Sequence, residues 1–341
     1  MKLRARLLVL ALTLFAGLLP LRVEAQRAPK YDALYTFGDS LADTGNDLIA
    51  TTALQLAPPI PPTRTFFAGH FSNGPVAFEY LWAQLSGHAP RTPGGIQPYL
   101  SLPSLSLRPM PRKEAVDFSF GGSGSGYASR TPGGFVVPGL RAQVELFGTA
   151  MHGRKPSNKA LFAIVTGSND YLTVPPAQPA TPDTVVANII ASIETLHRYG
   201  AKTVMVLNVS DLGTLPLVTM TQPAAAPLLS GLTLAHNQLL ATQLSNLSAR
   251  LPKLTVIPVD INVPLALLPA NTILALPALD AVAPAAAGLP PSSLCLFTDA
   301  RLCPAVLTFT LEAPFFFWDA VHPTTWVHQL LGRYLFARLS S

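Results

Sequence analysis

Five short apolar runs set the strongest constraint on how this chain can fold: ALYTF (33–37), AVDFSF (115–120), ALFAIVTG (160–167), KTVMVLNV (202–209) and LTVIPVD (254–260). Each ends in turn-forming residues, and segments with helical spacing lie between several of them. DTVVANIIASIETLHRYG (183–200) brings Val186, Ile189, Ile190, Ile193 and Leu196 to one face, with Asp183 as the expected cap and Gly200 as the stop. LTLAHNQLLATQLSNLSARL (232–251) repeats that pattern, and TTWVHQLLGRYLFARL (324–339) reads as a terminal helix. Strand alternating with helix implies an α/β domain whose parallel sheet is covered on both faces.

The first 25 residues are set apart from this pattern. Lys2, Arg4 and Arg6 precede an apolar stretch from Leu7 to Leu19, and Val23-Glu24-Ala25 follows with small residues at the positions a signal peptidase reads. Residues 1–25 are therefore expected to be a secretory signal peptide, and 26–341 a single domain. The apolar stretch is broken by Pro20 and is short against the roughly 20 residues of a membrane span. The expectation is an exported protein, secreted or periplasmic, without a transmembrane anchor. With 49% hydrophobic and 12% charged residues, the chain is too apolar for disorder.

A net charge of +5 invites a nucleic-acid reading, but four basic residues and one acid sit in the leader, leaving 19 basic and 17 acidic residues beyond it. No basic run interleaved with aromatics remains, so no nucleic-acid partner is expected. Cys295 and Cys303 lie eight positions apart. In an exported protein an isolated pair reads as a small local disulfide, with two reduced buried thiols as the other reading. Neither histidine nor a third thiol is near enough in sequence to suggest a metal site. Pro-rich stretches at 58–64, 90–112 and 174–182, and an Ala-, Leu- and Pro-rich region at 264–292, are expected as loops over the domain, either plain connectors or a substrate lid.

In open parallel sheets, ligands gather at the carboxyl ends of the strands. Here those ends lead into Gly38-Asp39-Ser40-Leu41, Gly121-Gly122-Ser123-Gly124 and Gly167-Ser168-Asn169-Asp170. Ser40 is expected at a helix start, its own N–H turned toward a developing oxyanion. Gly122 N–H and the Asn169 amide are further candidate donors. A serine hydroxyl needs a base, and FFFWDAVHPTT (315–325) places Asp319 and His322 three apart, so one loop can bring both carboxylate and imidazole. Asp39 is expected to make a structural hydrogen bond, since adjacency directs it away from Ser40. His70, His88, His152, His197, His236 and His328 lack an Asp-x-x-His setting and are expected in ordinary surface or core roles.

FGDSLADTGN, FSFGGSGSG, TGSND and FWDAVHP, in that order, resemble the sequence blocks of the GDSL (SGNH) hydrolases, a family of secreted esterases, lipases and phospholipases. FSNGPVAFEYLW and LNVSDLGTLP are also similar to segments of its members. The resemblance implies that the domain at 26–341 is a hydrolase domain, a three-layer α/β/α sandwich with a flavodoxin-like parallel sheet. It assigns Ser40 as nucleophile and oxyanion donor, Gly122 (or its neighbour Gly121) and Asn169 as further oxyanion donors, and Asp319 with His322 as acid and base. It implies no metal or organic cofactor. Asp117 stands where relatives more usually carry Asn, with an expected effect on packing rather than chemistry.

The implied reaction is two-step acyl transfer on a small-molecule or lipid ester. The aromatics Phe315, Phe316, Phe317 and Trp318 beside the base suggest fatty-acyl chains and transient contact with lipid surfaces, or else simple core packing. Within the family, acyltransferase and phospholipase activities are alternatives. An inactive exported lipid- or glycan-binding protein is the alternative from another class.

Overall fold

A computed structural model describes residues 31–63, 66–89, 92, 95–103, 108–131, 134–172, 180–266 and 316–340. The expected signal peptide, the Cys295–Cys303 pair, Phe315 and most of the loops at 174–182 and 264–292 lie outside the described residues.

The central sheet contains β1 (Ala33–Gly38), β2 (Gln97–Pro98), β3 (Ala115–Asp117), β6 (Ala160–Val165), β7 (Thr203–Leu207) and β8 (Thr255–Val259), in the order β2-β3-β1-β6-β7-β8. Every pairing in it is parallel. Without the two-residue edge strand β2, the five remaining strands follow the flavodoxin-like order, second-first-third-fourth-fifth. A small antiparallel pair, β4 (Ala128–Arg130) with β5 (Val136–Pro138), stands apart from the sheet.

Side-chain alternation along the strands separates two cores. Tyr35, Phe37, Phe162, Ile164, Val204 and Val206 face helices α3 (Leu140–Ala150), α4 (Pro182–Tyr199) and α5 (Ala226–Arg250). Leu34, Leu161, Ala163, Val165, Met205 and Leu207 face α2 (Ala77–Ser86) and the C-terminal α6 (Thr325–Ser340). The result is the three-layer α/β/α arrangement. Phe147 on α3 anchors the first core, fully buried, with ring centroids 4.9 Å from Tyr35 and 5.3 Å from Phe162. Truncating such a side chain to alanine costs about 3–5 kcal/mol.

Local chemistry moves some expected boundaries. The cap of α4 is Thr181, whose Oγ1 accepts the Thr184 N–H at 3.3 Å, rather than Asp183. Pro182 takes the first helical position, where its missing N–H costs nothing, and Asp183 sits in the first turn. Helix α5 starts at Ala226, six residues before the expected start at Leu232. The short helix α1 (Asn46–Ala53) follows the β1 loop and buries Asn46, Asp47 and Thr51, so it has a polar inner face.

Candidate active site

The turn after β1 carries Ser40. Gly38, at φ +143°, brings the backbone so close to the Val165 carbonyl that a β-carbon there would collide with it. Asp39 N–H bonds the Val165 carbonyl at 3.2 Å, and the Ala42 and Asp43 amides both donate to the Asp39 carbonyl, at 3.0 and 3.1 Å. Ser40 therefore lies on a single tight turn, and not at a helix start as expected; α1 begins six residues later, at Asn46. Its N–H is left without a partner among the described residues by the turn itself, not by a helix terminus. Asp39 Oδ1 accepts the Leu41 N–H at 3.0 Å, which holds the turn closed.

The segment between Phe316 and Thr324 folds back on itself to bring the other two groups. Trp318 N–H donates to the His322 carbonyl at 2.7 Å, and Thr324 N–H to the Phe316 carbonyl at 2.8 Å. Asp319 Oδ1 accepts the Val321 and His322 amides at 2.8 and 2.7 Å, leaving Oδ2 to meet His322 Nδ1 at 2.6 Å. His322 Nε2 lies 2.8 Å from Ser40 Oγ, across 282 positions of sequence. A carboxylate only accepts, so Nδ1 carries the ring proton and Nε2 is left to accept from the hydroxyl. Ser40 and His322 are 8% and 6% exposed, reachable yet largely out of water.

Two further strand ends converge on the same place. Gly121 N–H is taken by Asp43 Oδ2 at 3.2 Å, whereas Gly122, at φ +76°, offers an N–H without a partner among the described residues. Asn169 donates through Nδ2 to the Ser123 carbonyl at 3.0 Å, and an amide nitrogen has a second hydrogen to give. Asp170 fixes the glycine loop, accepting from Ser125 N–H and Oγ–H at 2.8 Å each. Gln143, buried on α3, has no counterpart in the sequence reading. Its Oε1 accepts Gly38 N–H and its Nε2 donates to the Gly38 carbonyl, both at 2.8 Å, and Nε2 also reaches Ser123 Oγ at 2.8 Å. One helical side chain thus joins the end of β1 to the glycine loop.

Beneath the turn lies a group of buried carboxyls. Asp117 accepts from Thr36 Oγ1, Thr44 N–H and Ser119 N–H at 2.8 Å each, and from the Asn46 amide at 3.3 Å. Burial outweighs those donors and pushes its pKa to about 7. Burial likewise raises Asp39 to about 7 and Asp43 to about 6. His70 forms a buried pair with Glu79 at 2.8 Å, a core role as expected. Among the described residues no three His, Cys, Asp or Glu side chains are grouped to hold a metal ion.

Ser40, Gly122, Asn169 and His322 all line one cavity of about 520 Å³, whose wall is otherwise largely apolar, including Leu41, Phe71, Phe78, Leu207, Phe316 and Leu331. The aromatics beside the base divide: Phe316 and Phe317 face the cavity, while Trp318 packs edge-on to Phe66 at 6.5 Å.

The family model described as GDSL-like lipase/acylhydrolase matches residues 34–335. GDSL esterase/lipase 5 of Arabidopsis thaliana is 30% identical over 214 residues, covering 56% of this chain and 52% of that protein. A second GDSL esterase/lipase of the same plant is 28% identical over 318 residues, covering 86% and 84%. The chain thus matches about half the length of the first relative and most of the second. A solved structure described as a GDSL-like lipase, from Parabacteroides merdae, is 15% identical with a TM-score of 0.44, covering 91% of this chain and 96% of that one. With the family match running from β1 to the last helix, the chain belongs to the GDSL-like lipase/acylhydrolase family.

Proposed function

We propose that the protein is a carboxylic ester hydrolase that works through an acyl-serine intermediate on fatty-acyl or lipid esters. The observation that carries this reading is the hydrogen-bonded relay from Ser40 through His322 to Asp319, opening onto a largely apolar cavity. His322 Nε2 takes the Ser40 proton as Oγ attacks the ester carbonyl, while Asp319 steadies the imidazolium through Nδ1–H. The charge that collects on the carbonyl oxygen meets the N–H groups of Ser40 and Gly122 and the second hydrogen of the Asn169 amide. His322 then returns the proton to the leaving alcohol, and water activated by the same imidazole releases the acid. The apolar wall is the support for an acyl chain as the other half of the substrate. The leader-like residues 1–25 support export, and among the described residues no helix is long and apolar enough to cross a membrane.

The test is hydrolysis of p-nitrophenyl esters from acetyl to palmitoyl by the wild type, Ser40→Ala and His322→Ala, with fluorophosphonate labelling of Ser40 in parallel. Activity lost in both variants, with labelling lost in Ser40→Ala, is the expected result. A folded wild type that neither hydrolyses any ester nor takes the label overturns the reading in favour of a binding protein.

A further inference from the structure

Two buried titratable side chains outside the relay meet beside the turn that carries Asn169. Tyr171 and His236 are 3% and 0% exposed, and the Tyr171 hydroxyl lies 2.8 Å from His236 Nδ1. The rings stand edge to face, with centroids 5.7 Å apart. His236 Nε2 is buried without a partner, so the phenol is the only hydrogen-bond partner of the imidazole among the described residues. Without it the whole buried ring would be unmatched, which makes the bond costly to break. Burial lowers the pKa of His236 to about 4, and burial with the Asp170 and Asp183 charges raises that of the Tyr171 phenol. Both are uncharged at neutral pH, and the contact is a plain hydrogen bond rather than an ion pair.

The element held by this pair is short. Ser168–Tyr171 is a single helical turn of four residues, too short to be stable on its own. Toward the glycine loop it is tied by Asn169 to the Ser123 carbonyl and by Asp170 to Ser125. Toward α5, His236 meets both of its ends: Tyr171 through Nδ1, and Gly167, where an added β-carbon would stand 3.1 Å from His236 Cε1. His236 is in turn a fixed point. Its neighbour on α5, Asn237, accepts the Val209 N–H at 3.0 Å and donates to the Val209 carbonyl at 2.8 Å, which pins the helix to the chain leaving β7.

One hydrogen of the Asn169 amide is committed to Ser123, so the direction of the second follows the turn as a body. Displacing a group at the reacting centre by about 1 Å costs up to about a hundredfold in rate, and a smaller tilt of the turn correspondingly less.

We propose that Tyr171 and His236 are positioning residues, whose hydrogen bond sets the turn that aims the Asn169 amide at the developing oxyanion. This rests on the ester hydrolase reading, with Asn169 as a donor. The experiment measures kcat and KM on p-nitrophenyl butyrate, with thermal unfolding alongside, for Tyr171→Phe, His236→Leu and His236→Asn, each with and without Asn169→Ala. Tyr171→Phe and His236→Leu should lower kcat about tenfold with KM nearly constant. His236→Asn, whose Oδ1 stands where Nδ1 did and accepts the phenol's hydrogen, should keep most of the turnover. In the Asn169→Ala background Tyr171→Phe should cost nothing further, because the group it aims is gone.

Should His236→Leu not fold, Tyr171→Phe, which deletes only the hydroxyl, decides the cycle alone. Unchanged kcat in Tyr171→Phe, or the same fold loss with and without Asn169, overturns the proposal while leaving the hydrolase reading intact. Equal losses in His236→Asn and His236→Leu overturn it as well, by showing that packing and not the bond sets the turn. Full turnover in a folded Asn169→Ala removes the donor and this proposal together. A wild type that neither hydrolyses the ester nor takes the fluorophosphonate label overturns the hydrolase reading and this one with it.

Discussion

Asn73 Oδ1 accepts the backbone N–H of Thr325 at 2.8 Å, joining the loop before α2 to the first residue of α6 across 252 positions of sequence. Two further bonds join these segments: Ser72 Oγ donates to the Pro323 carbonyl and Thr325 Oγ1 to the Pro75 carbonyl, both at 2.9 Å. His322 lies immediately before this contact, so the imidazole that meets Ser40 on β1's loop is positioned from the opposite end of the chain by the 72–75 loop.

Asn73→Ala should therefore act on turnover more than on the fold. The lost bond to a half-buried helix end is worth about 1 kcal/mol of stability. The looser His322 loop should lower kcat by several-fold with KM nearly constant, because distance from Nε2 to Oγ matters only once the reaction begins. Steady-state kinetics on p-nitrophenyl butyrate beside thermal unfolding check this; a kcat equal to the wild type's would mean that the loop holds itself.

Asn169→Ala removes one candidate oxyanion donor. Losing such a donor typically costs about 2.7–4 kcal/mol in the transition state, or roughly a hundredfold or more in kcat. The side chain also bonds the Ser123 carbonyl, so unfolding must be measured alongside. Near-wild-type turnover in a folded variant would remove Asn169 from the site.

The strands are legible in the sequence because both of their faces are buried, which leaves continuous apolar runs such as ALYTF and ALFAIV. Helix α4 is legible for a related reason, one apolar stripe with Gly200 in the left-handed conformation at its end. Helix α1 is not: NDLIATTA turns Asn46, Asp47 and Thr51 inward, so its buried face carries no hydrophobic period. The Asp319 and His322 pairing can be read because one short loop makes it. Gln143 cannot, since a glutamine in LRAQVELFGTA looks like any solvated helix position until Gly38 is seen beside it. Ser40 reads as a helix start, and the glycine-led turn found in its place depends on how closely β1 and β6 approach, a contact between distant segments.

The pH dependence of stability should carry the mark of Asp39. In the folded chain it holds its proton up to about pH 7, chiefly through burial, against the partial relief of the Leu41 N–H and His322 and with a smaller push from the Asp170 charge. Unfolded, it releases the proton near 3.9. Between those values the folded state binds more protons, so this residue's contribution to stability falls as pH rises through the window. In Asp39→Asn the amide oxygen can still accept the Leu41 N–H, and nothing titrates. The melting temperature of the variant relative to the wild type should therefore climb from pH 4 to pH 8. The free-energy difference between those limits should amount to a few kcal/mol at most, since each pH unit separating the folded and unfolded titrations is worth about 1.4 kcal/mol. A difference that stays flat with pH would place the titration elsewhere.

The two glycines before Ser123 should respond differently to alanine. At Gly122, φ is +76°, and the added β-carbon would come within 2.9 Å of Thr131 Cγ2. The left-handed conformation costs about 1–2 kcal/mol, and an N–H displaced with the backbone weakens stabilisation of the oxyanion. At Gly121 the conformation is ordinary, but the new β-carbon strikes the Phe71 ring, which packs on His322. Gly121→Ala should therefore act on the base, by moving Phe71 and with it the imidazole, and Phe71→Leu in the same chain should restore part of the turnover by making room. The same second change should do nothing for Gly122→Ala, whose β-carbon meets Thr131 instead. Measuring kcat for both single and both double variants decides it: rescue in each pair, or in neither, would show that Phe71 does not couple the glycine loop to His322.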